Sequence, residues 1–278
     1  MPRPLETLLL LCVLGASPVL AEGLAQTSTV APDPSMATLD PEQRGLAIAE
    51  AVEARDAGWK DMQAELEMRL RNRQGQESRR ALRMKVLEIA DDGDQSLIVF
   101  DSPRDIAGTA FLSYTHALTP DDQWLYLPAL KRVKRIASAN KSGPFVGSEF
   151  AYEDLSSTEV EKYRYRWLRD EELDGRKAHV LEEYPAYEHS GYTRRLVWID
   201  EERLQPLKVV FHDRKDAPLK TLTFRGYRQY LDRFWRADEM HMENHQTGKD
   251  TTLTWQDYRF RTGLTRRDFD QASLKRIR

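Results

Sequence analysis

The chain has 278 residues, 31% of them charged, with a formal net charge of -3 and one cysteine. That near-neutral balance excludes the basic footprint of a nucleic-acid binder. A lone cysteine, Cys12, excludes a disulfide framework and a multi-thiolate zinc site.

Residues 1–21 come first. Arg3 is basic, residues 8–14 are almost wholly apolar, and Val19-Leu20-Ala21 puts small or apolar groups at a cleavage position. The apolar run is too short to span a bilayer, so the layout predicts a secretory signal peptide cut near Ala21. Cys12 lies inside it and follows Leu11 rather than a small residue, so no lipid anchor is expected there. Residues 22–38, rich in Ala, Ser, Thr and Pro, predict a flexible leader. Residues 39–278 have the length of one large β domain and no apolar stretch able to cross a membrane.

Asp40-Pro41-Glu42-Gln43 predicts a helix start, with Asp40 as cap, Pro41 in the first turn and Gln43 completing a capping box. Gly45, Ile48, Ala49 and Val52 share one face, and Gly58 is a natural stop. The period then changes to two. Met62, Ala64, Leu66, Met68 and Leu70 alternate with polar residues, as do Leu82, Met84 and Val86, and Tyr163, Tyr165 and Trp167. Such alternation puts apolar groups on one side of a sheet and charges on the other. Further strands are expected at 97–100, 109–114, 124–127, 178–184, 195–199, 207–211, 221–227, 235–242 and 253–260. Asp92-Gly93, Asp174-Gly175 and residues 247–250 are turn signals among them.

Helical stretches are too few for repeated βαβ units, so the expected fold is α+β and mainly antiparallel β. A long sheet with one apolar face must curl and cover that face. A curved half-barrel with the N-terminal helix as cover satisfies this, with Trp124, Trp167, Trp198, Trp235 and Trp255 as candidate inner residues.

Residues 121–155 break the pattern. A hairpin at 124–136 turns at Pro128-Ala129, and Lys131, Arg132, Lys134 and Arg135 surround Val133. These charges suit either phosphate head groups and an anionic partner, or a sheet edge kept soluble. A Gly/Pro/Ser-rich stretch comes next, yet it carries Phe145, Val146 and Phe150. These read as a lid or partner contact, or as a loop folded back to plug its own barrel. Residues 152–155 start a short helix.

Here the chain resembles a known family. Residues 123–136, Gln-Trp-Leu-Tyr-Leu-Pro-Ala-Leu-Lys-Arg-Val-Lys-Arg-Ile, are similar to the signature of outer-membrane lipoprotein-sorting proteins of the LolA/LolB superfamily. Residues 142–150, Ser-Gly-Pro-Phe-Val-Gly-Ser-Glu-Phe, then 152–155, Tyr-Glu-Asp-Leu, continue it, and Asp105-Ile106-Ala107-Gly108-Thr109 matches a strand-entry motif. The resemblance runs over about 40–270 and implies an unclosed antiparallel barrel with helices as a lid over an apolar cavity. It implies a periplasmic carrier of lipid or lipoprotein acyl chains, without a cofactor or catalysis. Alternatives are an adaptor for a transporter of the resistance-nodulation-division type and an envelope-stress sensor. Candidate ligand-binding residues are Met62, Leu66, Met68, Met84, Trp124, Phe145, Val146, Phe150, Tyr163, Tyr165 and Trp167. Lys131, Arg132, Lys134 and Arg135 are candidate partner or head-group contacts.

His241 and His245 would share a helix face, but Met240 and Met242 alternate with their neighbours as in a strand, which separates the two by about 13 Å. No metal site is expected there. No nucleophile elbow, Walker loop or dinucleotide fingerprint occurs in the sequence.

Overall fold

The computed structural model describes residues 38–90, 92–157 and 159–276. The expected signal peptide, and all but the last residue of the expected leader, lie outside the described residues.

Helix α1 spans Pro41–Asp56. Asp40 accepts from the Gln43 amide at 2.8 Å, and the Gln43 side chain accepts from the Asp40 amide at 3.3 Å, closing the expected capping box. The helix ends at Ala57, and Gly58, at φ +101°, turns the chain away. Gly45 and Ile48 are its buried residues. It is the only α-helix among the described residues.

Fifteen strands come after it. The first six are β1 Asp61–Arg71, β2 Glu77–Leu87, β3 Gln95–Ser102, β4 Ala110–Tyr114, β5 Asp122–Leu127 and β6 Arg132–Ile136. After an irregular connection come β7 Tyr163–Leu173, β8 Arg176–Pro185, β9 Arg194–Asp200, β10 Pro206–His212 and β11 Pro218–Arg225. The last are β12 Arg228–Tyr230, β13 Phe234–Arg236, β14 Glu239–Asn244 and β15 Lys249–Phe260. Thirteen of them form one antiparallel sheet, ordered β6-β5-β4-β3-β2-β1-β15-β14-β11-β10-β9-β8-β7. Pairing of β1 with β15 joins its halves, and β6 and β7 are its edges, so the sheet is unclosed.

The strand expected at 235–242 is two strands. The Asp238 amide donates to the carbonyls of Arg225 and Gly226, so the chain bends there and β12–β13 leave the sheet as a separate hairpin. Trp235 leaves with them and packs under the Arg203 guanidinium, 4.7 Å from its ring centroid, rather than on the inner face.

Alternation sets the two faces. Leu66, Met68, Leu82, Ile98, Phe100, Phe111, Leu125, Leu181, Val197 and Val209 point inward into one core. A second core lies on the outer face of β3–β5, where Leu97, Val99, Leu112 and Tyr126 are covered by Phe269 and Leu274 of the C-terminal segment. Its sequence signal is the unbroken apolar run Leu97-Ile98-Val99-Phe100, which marks a strand buried on both faces. Trp124 belongs to this outer core and packs edge-on to Tyr114 at 5.1 Å. Trp198 also faces outward, among Ala178, Val180, Leu196 and Val210. Of the five tryptophans expected inside, Trp167 and Trp255 pack against the inner core.

Helix α1 lies across β7. A Cβ on Gly45 would fall 2.8 Å from the Trp167 amide nitrogen and 2.9 Å from that of Arg166, so only glycine permits this approach. Substituting Gly45→Ala gains up to about 1 kcal/mol of helix propensity. The backbone clash outweighs it, and a net destabilisation of about 1–3 kcal/mol in chemical unfolding is the expected outcome.

Candidate functional site

The inner face of β7–β14 is built in rungs. Cross-strand pairing aligns Trp167, Leu181, Val197, Val209, Leu222 and Met242 in one apolar rung. The next rung aligns Tyr165, Glu183, Arg195, Phe211, Lys220 and Asn244. Charges thus occupy positions that alternation reserves for apolar groups. Arg195 pairs with Glu183 and lies 3.9 Å from the centroid of the Tyr163 ring. Lys220, 3% exposed, pairs with Asp154 and donates to the Glu149 carbonyl at 3.0 Å.

The connection from β6 to β7, residues 137–162, crosses the interior. Phe145 packs on Phe100 at 5.8 Å, Phe111 at 5.3 Å and Tyr152 at 5.6 Å, and Phe150 is buried beside it. Arg80 donates to the Val146 carbonyl at 2.7 Å, with Val146 in the left-handed region at φ 47°. Asn244 donates to Glu149 at 2.7 Å and Tyr192 to Asp154 at 2.7 Å. This segment is therefore a plug over the half of the sheet around β1–β5. Leu66 and Met68 are buried in the core that it completes, and Met84 packs against the same core. Met62 sits apart, with Trp59, Val86 and Phe234. Residues 152–155 form a short 3-10 turn within the plug.

The other half of the inner face stays open. A cavity of about 1180 Å³ lies between α1 and the sheet, lined by Ala49, Val52, Tyr165, Leu181, Val197 and Ile199 among others. A cavity of about 570 Å³ adjoins it, lined by Tyr163, Phe211, Leu222 and Lys141 among others. Arg195 and Val209 line both. Of the residues singled out from the sequence, Tyr163 and Tyr165 line these spaces. Trp167 is held behind, its indole donating to Asp170 at 2.8 Å under the Arg44 guanidinium. Trp124 is corrected: it faces the opposite side of the sheet, because Leu125 rather than Trp124 occupies the inner register of β5.

Lys131, Arg132 and Lys134 are exposed on edge strand β6 or beside it, and Arg135 pairs with Asp122 of the neighbouring strand. They form a basic edge and do not line either cavity. His241 hydrogen-bonds Thr252 at 3.0 Å and His245 hydrogen-bonds Thr221 at 2.8 Å, so the two have separate partners.

The sequence reading missed Arg195, Glu183, Lys220 and Lys141. Arg195 and Lys220 carried a signal, since each is charged on the parity that its strand otherwise fills with apolar residues; Glu183 did not, because Lys177 and His179 share its parity on β8. Also missed was the rim of the larger cavity, where Glu53, Asp56, Glu88, Asp94 and Glu159 gather. Burial pushes the Asp94 carboxyl up to about 7, with repulsion from Glu159, Glu88 and Asp56 adding to it. Burial likewise raises Glu53 and Asp56, the latter against the pull of Arg236.

A family model described as "Uncharacterized protein" matches residues 92–276. No curated protein matches the chain. Among solved structures, a domain described as an outer membrane lipoprotein-sorting protein, from Vibrio parahaemolyticus, is 57% identical with a TM-score of 0.83, over 84% of this chain and 99% of that one. A DUF1329 family protein from Desulfovibrio piger is 28% identical with a TM-score of 0.80, over 85% and 100%. A LolA superfamily protein from Nitrosomonas europaea shares the fold at 20% identity and a TM-score of 0.66, over 84% and 99%.

The raised Asp94 carboxyl has a thermodynamic consequence. The folded state holds that proton more tightly than the unfolded chain, whose carboxyl has its ordinary value of 3.8. Its contribution is present below that value and is lost as pH rises to about 7. Asp94→Asn keeps the acceptor that meets the Ile89 amide. It should stabilise the protein above about pH 7 by about 1–3 kcal/mol, after discounting for partial solvent exposure. It should also flatten the stability profile between pH 4 and 7, as read by thermal unfolding across that range.

Proposed function

The chain belongs to the family of the Vibrio parahaemolyticus outer-membrane lipoprotein-sorting domain, on the LolA fold, and from that premise we propose that it is a periplasmic carrier of a hydrophobic ligand. The observation that carries this reading is the space of about 1180 Å³ left between α1 and the apolar rung. A lipid or lipoprotein acyl chain gains about 0.8 kcal/mol for each methylene moved from water into such a space. Nothing covalent is needed, so the role is binding and release rather than catalysis.

Ligand contact is assigned to Tyr163 and Tyr165, with Val52, Leu181, Val197, Ile199 and Val209. Leu66, Met68, Phe145, Val146 and Phe150 belong to the plugged half, and with Met62, Met84 and Trp167 they support the wall. Helix α1 is the lid. The predicted signal peptide supports export, and the family relationship supports the periplasm.

A second reading is an adaptor that docks an envelope transporter of the resistance-nodulation-division type. The exposed cations Lys131, Arg132 and Lys134 on the edge of the sheet favour it. Reversing these three charges to Glu should abolish co-purification with such a transporter while leaving the unfolding midpoint unchanged. Retained capture would remove this reading.

The carrier is tested by native mass spectrometry of protein purified from the envelope. An adduct with the mass of a lipid or acylated peptide is expected, and Val197→Phe, which fills the cavity, should remove it. Protein that arrives empty and takes up no fatty acid, phospholipid or lipopeptide would overturn the reading.

A further inference from the structure

We infer that the smaller cavity is a head-group pocket, and that Lys141 in it receives the carboxylate or phosphate of an anionic amphiphile. This rests on the carrier reading above and adds the class of ligand.

Lys141 lines the smaller cavity and is 8% exposed. Its ammonium lies 3.7 Å from the centroid of the Tyr187 ring. Among the described residues that ammonium makes no hydrogen bond or ion pair. An ammonium largely withdrawn from water against an aromatic face, with no ion pair of its own, is costly to keep. Burial accordingly lowers the pKa of Lys141.

The neighbouring lysines and arginine are already paired. Lys162 meets Asp121 at 3.1 Å and Glu159 at 3.0 Å. Arg195 is paired with Glu183, and Lys220 with Asp154. Glu153 accepts from the Gly191 amide at 2.8 Å, Ser190 at 3.0 Å and Tyr187 at 3.3 Å, and burial raises its pKa. The charges facing Lys141 are therefore Glu153, Asp121 and Lys162, each bound elsewhere. Lys141 has all three of its donors to spare.

Its backbone is also fixed. The Lys141 amide donates to the Ser138 carbonyl at 3.3 Å, and its carbonyl accepts from the Glu153 amide at 2.9 Å. The main chain that carries the ammonium is thus fixed before any ligand arrives. From it the pocket wall runs past Tyr163, Phe211 and Val209, and Val209 also lines the larger cavity under α1. An anion at Lys141 with an acyl tail beyond Val209 matches both spaces at once. A neutral chain would fill only the second.

The test compares palmitate, hexadecyl phosphate and hexadecanol as probes, on the full-length mature protein at neutral pH. Palmitate and hexadecyl phosphate should each bind at least about tenfold more tightly than hexadecanol, the increment of one charge-assisted hydrogen bond. Lys141→Met should abolish that preference and leave hexadecanol binding unchanged, with an unfolding midpoint no lower than that of the parent. Lys141→Arg should restore the preference. Inorganic phosphate in excess should not displace palmitate. Equal binding of the three probes by the parent protein overturns this inference alone and needs no variant to fold. Displacement by phosphate assigns the pocket to a small free anion and also overturns it. Failure of all three probes to bind removes the carrier reading and this inference with it.

Discussion

The constraint on which the molecule depends is the covering of one concave apolar face by too little chain. Thirteen strands present that face. Among the described residues, α1, Pro41–Asp56, and the connection 137–162 are the main segments that lie over it. Edges β6 and β7 remain unpaired, so the chain between them must cross the interior. Its aromatic residues then fill the half it crosses. The second half is left to a single helix whose approach is limited by the Gly45 backbone contact with β7. Unfilled space under α1 is what remains of this geometry.

The two covers are fastened differently. The plug is tied by groups buried in the sheet. Lys220 reaches Asp154 and the Glu149 carbonyl, Arg80 reaches Val146, and the Glu149 amide donates to Thr251 at 3.0 Å. Breaking the Lys220 pair strands a buried charge, which is costly. The lid is tied at its margins. Arg44 meets Asp170 at 2.7 Å near its start, and Arg236 meets Asp56 at 2.6 Å at its end. Such partly exposed pairs contribute little each. The cover held less firmly by buried charge is therefore α1 rather than the plug.

Much of this architecture was legible because it obeys local rules. The capping box at Asp40 and Gln43, the period-two strands and the glycine stop each state their structure within a few residues. The choice between lid and plug for Phe145 and Phe150 was not, since it depends on which half of the sheet the connection crosses. Trp124 was placed on the wrong face because β3–β5 are buried on both sides, so alternation there carries no polarity signal. The outer core needs Phe269 and Leu274 from the far end of the chain, which no short window in the sequence shows. The candidate site was legible only at Tyr163 and Tyr165. Lys141 had no signal, because its burial comes from residues 187–191 folding over a loop that reads as exposed.

The charged rung is the feature that an ordinary close-packed core would not keep. Glu183, Arg195 and Lys220 stand where Leu181, Val197 and Leu222 stand one rung away, so apolar side chains of similar size fit the same register. Replacing buried ion pairs with apolar groups is often neutral or stabilising in proteins. Stability therefore gives no reason for these charges. They set a charged band beside the apolar rung, with Glu183 and Arg195 lining the space under α1 and Lys220 holding the plug, and a simple hydrocarbon has no use for that band. A ligand with two chemically distinct ends does. For the proposed carrier, the rung would set the direction in which such a molecule lies.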